Sequence, residues 1–116
     1  MKNIDISIIK EYNKNGTGST EIYKFLQGNI IHLEEDITRF AKQNKKLETN
    51  RFADLKEKCF LLQENITKKK QFEDSDLDMF DAINKYNTLK NIEMKRLAIF
   101  TGIVAIAGAI LNFLFK

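Results

Sequence analysis

The 116-residue chain has no proline and no tryptophan, and it carries one cysteine, Cys59, and one histidine, His32. A single thiol excludes an intrachain disulfide, and one His with one Cys is too few for a zinc site. Cys59 lies on an apolar helical stripe, so we predict that it belongs to the core. We predict His32 at the surface or its boundary. No residues form a catalytic constellation, so the sequence predicts a non-enzyme without a cofactor.

Without proline, and with many aliphatic residues, Lys, Glu, Asn and Gln, the chain favours helix throughout. Residues 1–13 have the apolar spacing of a short amphipathic helix. Residues 15–20 contain two glycines and form the clearest loop, after which Ser19 or Thr20 is expected to cap the next helix.

Two apolar stripes with alternating steps of three and four residues predict two helices, over 20–47 and 51–69. Asn44 falls on the first stripe, where a polar residue would fix the register of a coiled coil. The stripes are out of phase across residues 48–51, which favours a turn and a helical hairpin; one long helix with a phase break is the alternative.

Residues 97–115, the terminal run, contain no charged residue. Nineteen helical residues extend about 28 Å, close to the thickness of a bilayer core. We therefore predict a membrane span; a buried core helix is the alternative. Cations before the run, including Lys95 and Arg96, predict a cytoplasmic N-terminal domain by the positive-inside rule, with Lys116 at the far interface.

A fourth helix is predicted from about Ser75, and no glycine or proline interrupts it before the terminal run. The predicted fold is all-α, with a cytoplasmic helical hairpin or coiled coil and a long helix that continues into a C-terminal transmembrane span. The corresponding division is 1–72 for the helical domain, 73–96 for the juxtamembrane helix and 97–116 for the transmembrane helix.

One face of this long helix is small and polar. Small residues let membrane helices approach closely, and an Asn side chain facing lipid is unfavourable, so we expect self-association. The face would line a pore or pack in a closed oligomer, and a simple anchor is the third option. Its predicted residues are Asn84, Asn87, Asn91, Met94, Ala98, Thr101, Ala105, Gly108 and Asn112.

The net charge is only +3, so affinity for polyanions has to come from local clusters. Lys45–Lys46 and Lys68–Lys69–Lys70 are the candidate anion-binding residues, for a nucleotide or oligonucleotide. Anionic lipid is another ligand for Lys68–Lys70 and for Lys95–Arg96. Acidic residues such as Glu34, Glu35 and Asp36 alternate with cations, as on a solvated helix.

In this layout the chain resembles the phage haemolysin and holin-accessory family and the single-span membrane effectors of bacterial antiphage systems. The resemblance implies a homo-oligomeric, inner-membrane, ligand-controlled pore or channel in defence or lysis. Two alternatives remain. One is a tail-anchored coiled-coil scaffold that recruits a cytoplasmic protein partner, and the other is a membrane-tethered nucleic-acid binder.

Overall fold

The computed structural model describes residues 2–91, which form four helices and no strand. Helix α1 covers Ile6–Asn15, α2 covers Ser19–Lys42 and α3 covers Lys46–Thr67, and α4 is helical from residue 74 to residue 91. The predicted all-α fold is confirmed. Within the described part, no helix has the length and hydropathy to cross a membrane. The terminal run lies outside it.

Helices α2 and α3 form the predicted antiparallel hairpin. Far from the turn, Gln63 Nε2 donates to Gln27 Oε1 at 3.0 Å. Near the turn, the rings of Phe40 and Phe52 lie 5.2 Å apart. Each pair joins a residue early in one helix to one late in the other, as an antiparallel pair requires.

Helix α4 packs beside the hairpin and runs parallel to α2. Phe80 packs on Phe25 with ring centroids 6.4 Å apart, and ten residues later Lys90 donates to Asp36. Residue numbers thus rise together along both helices. Consequently α4 ends at the same end of the bundle as the α2–α3 turn.

Helix α1 and the segment before it complete an up-down four-helix bundle. Asn84 on α4 pairs with the backbone of Ile4, and Asn13 Nδ2 donates to the Phe72 carbonyl at 2.9 Å. The segment before α1 thus lies beside the second half of α4, and the end of α1 lies beside the residues that precede α4. The two helices are therefore antiparallel.

The core is one cluster with members from every helix. Its apolar residues are at most 6% exposed: Ile4, Ile9, Tyr12, Ile22, Leu26, Ile30, Leu33, Cys59, Leu62, Phe72, Phe80 and Ile83. Because α4 contributes Phe80 and Ile83, it packs into one bundle with the preceding helices.

The α2–α3 turn lies at residues 43–45, so its predicted position at 48–51 is wrong; those residues are helical in α3. Asn44 has φ 56, the Asn44 N–H donates to Ala41 O at 3.1 Å and the Lys45 N–H donates to Phe40 O at 3.0 Å. These two bonds are a Schellman motif, in which Asn tolerates the left-handed position. Asn44 thus ends α2 and does not fix a coiled-coil register. Leu47, also predicted on the stripe, is 68% exposed.

The helix starts also differ in part from expectation. Asp5 caps α1 by accepting from the Ser7 N–H at 2.9 Å, so the helix begins at Ile6 and not at the first residue. Gly18, with φ 80, is the N-cap of α2, and no side chain caps that helix. The expected cap at Ser19 or Thr20 is therefore wrong, because Ser19 is already helical.

Candidate functional site

A cleft of about 580 Å³ lies between α2, α3 and α4, at the end of the bundle that holds the α2–α3 turn. Its apolar wall comes from all three helices and includes Phe40, Phe52, Leu55, Met79 and Leu89. Leu89 is 62% exposed. An apolar trough of this kind suits an amphipathic helix or another amphiphile.

Three aromatic rings form the inner part of the cleft. Phe52 lies between Phe40 and Tyr86, with both ring-centroid distances at 5.2 Å. The Phe52–Tyr86 pair has an edge-to-face geometry, which the ring quadrupoles favour. The rings connect α2, α3 and α4, so the shape of the cleft depends on how the three helices pack.

A buried polar cluster centred on Asp36 lies beside these rings. The Asp36 carboxylate is 4% exposed. It accepts from the Tyr86 hydroxyl and from Lys90 Nζ, and Arg39 approaches its other oxygen at 3.2 Å. Lys90 is 15% exposed. A carboxylate this deeply buried requires such partners, and here they fix the end of α4 to α2.

Sequence reasoning missed this cluster. It assigned Asp36 to a solvated acidic run, and that interpretation is wrong because Asp36 is 3% exposed as a residue. The signal was its spacing: Asp36 follows Leu33 by three residues and precedes Phe40 by four, so it lies on the inward stripe of α2. Nothing in the sequence indicated Tyr86 or Lys90 as its partners.

The lining of the cleft carries an excess of cations. Five cationic residues line it, against three acidic ones: Arg39, Arg51, Lys58, Lys85 and Lys90. Lys58 pairs with one of those acids, Asp54, at 3.0 Å, and both side chains are largely exposed. A ligand with an apolar face and acidic flanks would match this surface.

The two lysine clusters lie at opposite ends of the bundle. Lys45 and Lys46 are exposed at the α2–α3 turn, where Lys45 Nζ lies 5.6 Å from the centre of the Phe40 ring. Lys68–Lys70 end α3 at the other pole. The predicted anion-binding lysines therefore do not form one patch within a subunit.

In the far cluster, Lys68–Lys70, two residues already make contacts within the bundle. Lys68 pairs with Glu64 at 2.6 Å, and this pairing lowers the pKa of Glu64. The Lys70 carbonyl accepts from the Tyr12 hydroxyl at 3.0 Å. Lys69 and Lys70 border a shallow pocket of about 520 Å³ with Lys14.

The structure places two of the predicted pore-lining or helix-packing asparagines inside the subunit. Asn84 Nδ2 donates to Ile4 O at 2.8 Å, and its Oδ1 accepts from the Ile4 N–H at 3.0 Å. Asn87 is fully buried, and its Nδ2 donates to the Lys2 carbonyl at 3.3 Å. This placement differs from the predicted face toward other subunits. Both asparagines contact the N-terminal segment of the same chain. Asn91 is half-buried at the end of the described helix.

The remaining predicted residues lie outside residues 2–91: Met94, Lys95, Arg96, Ala98, Thr101, Ala105, Gly108, Asn112 and Lys116.

Cys59 and His32 occupy the predicted environments. Cys59 is fully buried, and burial raises the pKa of its thiol to about 12, so it is a poor nucleophile. The His32 side chain is 44% exposed, with Nδ1 3.7 Å from Glu35. Among residues 2–91, no group of His, Cys, Asp and Glu could hold a metal ion.

Comparisons with protein-family models, with curated proteins and with solved structures found no match to this chain.

Proposed function

We propose that the protein is a tail-anchored helical scaffold, held at the cytoplasmic face of a membrane by residues 97–115, that recruits a protein partner through the cleft. The observation that supports this proposal is the position of the cleft, at the end of the bundle where α4 leads toward the terminal run. A partner bound there would be positioned beside the membrane.

The chemistry of the cleft supports an amphipathic helix as the partner element. Phe40, Leu55 and Leu89 offer an apolar trough, and the surplus of cations in the lining favours acidic flanks. Helix-in-groove recognition combines these two features. In the described part of the chain, no set of side chains suggests a reaction on the bound molecule.

Self-association through the terminal run belongs to this proposal. Gly108 and Asn112 belong to its predicted small, polar face, and such faces pack against one another in lipid. Because Asn84 and Asn87 contact the N-terminal segment of their own chain, assembly would depend on the terminal run and not on these two α4 residues.

The second candidate is a ligand-controlled pore or channel acting in antiphage defence or lysis. The two-faced sequence of the terminal run favours it, since a simple anchor needs no small, polar face. The Lys90–Asp36 contact also favours it, because this contact joins the cleft to the helix that precedes the run. An anionic nucleotide or oligonucleotide would be the trigger.

Replacing residues 97–115 with an unrelated apolar helix separates the two candidates. A scaffold would keep its partner and its phenotype after the exchange, whereas a pore would lose membrane permeabilisation. Single-channel recording of the wild-type chain and of Gly108→Leu in planar bilayers gives the second readout. Conductance steps that vanish in Gly108→Leu would overturn the scaffold proposal.

The cleft needs its own test. A photo-reactive residue at position 89 should crosslink to the partner, whereas the same residue at position 61 should not. Leu61 is a matched control because it is an exposed leucine, 55% accessible, that does not line the cleft. Equal crosslinking from both positions would refute the cleft as the binding site.

A further inference from the structure

The tip of the α2–α3 hairpin, residues 42–47, combines positive charge with one exposed apolar side chain. All six residues are exposed. Lys42, Lys45 and Lys46 supply three cations without an acidic residue among them, and Leu47 beside them is 68% exposed. One exposed leucine alone means little, but cations around an apolar side chain match an anionic lipid surface.

The fold leaves these lysines available. Among residues 2–91, no carboxylate lies within ion-pair distance of Lys42, Lys45 or Lys46, whereas Lys68 at the far pole is paired with Glu64. Lys45 Nζ lies over the Phe40 ring at 5.6 Å, a contact that leaves the ammonium exposed to an anion.

The position of the tip identifies the surface that it would meet. Lys90 contacts Asp36, and α2 continues from Asp36 toward the tip for six more residues, or about 9 Å. The terminal run begins seven residues after Lys90. Seven residues reach at most about 25 Å in any conformation, and Lys90 itself lies at the end of the bundle that holds the tip.

The far cluster lies farther from the end of the described α4 than the tip does. Helix α3 has 22 residues, which separate Lys68–Lys70 from the tip by about 33 Å. Lys90, near the end of the described α4, is closer to the tip than to this cluster. If the chain enters the membrane in the direction of α4, the membrane faces the tip and Lys68–Lys70 point away from it.

We propose that the hairpin tip docks on the anionic headgroups of the membrane that holds the terminal run. Its lysines contact lipid phosphates and Leu47 enters the boundary between headgroups and acyl chains. This inference rests on the proposed membrane anchor. Each lysine near an anionic surface changes the docking equilibrium about fivefold, so the three together contribute roughly a hundredfold. Tethering makes even weak contacts effective, and docking fixes the orientation of the bundle and its cleft.

A single tryptophan tests the inference, because the natural chain has none. The full-length Leu47→Trp protein is placed in nanodiscs of phosphatidylcholine, with or without phosphatidylglycerol, that contain lipid brominated near the carbonyl end of its chains. We expect blue-shifted and quenched emission only with phosphatidylglycerol. Leu61→Trp, about 21 Å further along α3, is the matched control and should not be quenched.

Charge reversal supplies the second comparison. Lys42→Glu/Lys45→Glu/Lys46→Glu in the Leu47→Trp background should abolish quenching, and Lys68→Glu/Lys69→Glu/Lys70→Glu should leave it unchanged. Equal quenching of the two tryptophans, or loss of quenching only with the far-cluster reversal, would overturn the inference. If circular dichroism shows that a variant is misfolded, hydrogen exchange of residues 42–47 is measured in the wild-type chain instead. Equal exchange with and without phosphatidylglycerol would also overturn the inference.

Resistance of the protein to alkaline extraction distinguishes the two proposals. A protein that alkali removes from the membrane lacks the proposed anchor, and the scaffold proposal fails. A protein that resists extraction but shows no quenching at position 47 is anchored without a docked tip, and only the proposal that the tip docks on the membrane fails.

Discussion

Asp36→Asn should destabilise the bundle more than a comparable change at the surface. The substitution keeps the size of the side chain but removes the charge that Lys90 contacts deep between α2 and α4. Removing one partner of a buried ion pair costs about 3–5 kcal/mol. Lys90 retains 15% exposure, so the lower end, about 3 kcal/mol, is the expected loss. Arg39, 55% exposed, should add no more than about 1 kcal/mol.

A loss of this size is easy to measure. For a domain of 60–100 residues, about 1 kcal/mol corresponds to 4–8 °C in the unfolding midpoint, so Asp36→Asn should lower it by about 12–24 °C. Circular dichroism at the helical band, on the full chain in a mild detergent, reports the transition. Asp54→Asn is the matched control, because Asp54 pairs with Lys58 at an exposed site and should cost less than about 1 kcal/mol.

The pair itself is tested by a double-mutant cycle. Lys90→Met removes the cation that Asp36→Asn leaves unpaired, so the double variant should be more stable than the sum of the single losses implies, by at least about 1 kcal/mol. Equal midpoints for Asp36→Asn and Asp54→Asn, or strict additivity in the cycle, would refute the claim that this cluster fixes α4 to α2.

Three further outcomes follow from the packing. Gly28→Ala should raise the free energy of unfolding by about 0.5–1 kcal/mol in thermal melts, because an added Cβ meets no atom within 4 Å; a lower midpoint would contradict this. Asn84→Ala should cost about 2 kcal/mol and accelerate hydrogen exchange at Ile4, since it removes two hydrogen bonds to that residue; unchanged exchange would count against it. Cys59 should react with a maleimide at about pH 8 only after unfolding. Rapid labelling of the native chain would exclude a buried thiol. Burial raises the pKa of the folded thiol to about 12 from 9.0. The contribution of the buried thiol to the free energy of unfolding should therefore persist below about pH 9 and be lost as the pH rises toward 12.

Much of the fold was predictable because apolar periodicity reports burial. The stripes gave α2, α3 and the core position of Cys59, which is fully buried. The turn was misplaced because it depends on one left-handed residue, Asn44. An Asn on a seam and an Asn that ends a helix have the same spacing, so the pattern alone does not separate the two.

The candidate site was less predictable, for a related reason. Periodicity identifies the inward face of α4 but not whether that face meets the same chain or a second copy. Asn84 and Asn87 were assigned to contacts between subunits, whereas they meet residues 2–4 of their own chain. Asp36 was likewise hidden in an acidic run, since only tertiary structure brings Tyr86 and Lys90 to it.

The hydrogen bond between Asn3 and Thr88, 2.9 Å long, has a consequence for the use of this chain in the laboratory. It places the N-terminal segment near the end of the bundle from which the chain leads into the terminal run. A fluorescent protein fused at the N-terminus would therefore crowd the proposed membrane surface. A small epitope inserted at Gly16–Thr17, in the exposed loop at the opposite pole, would leave that surface accessible.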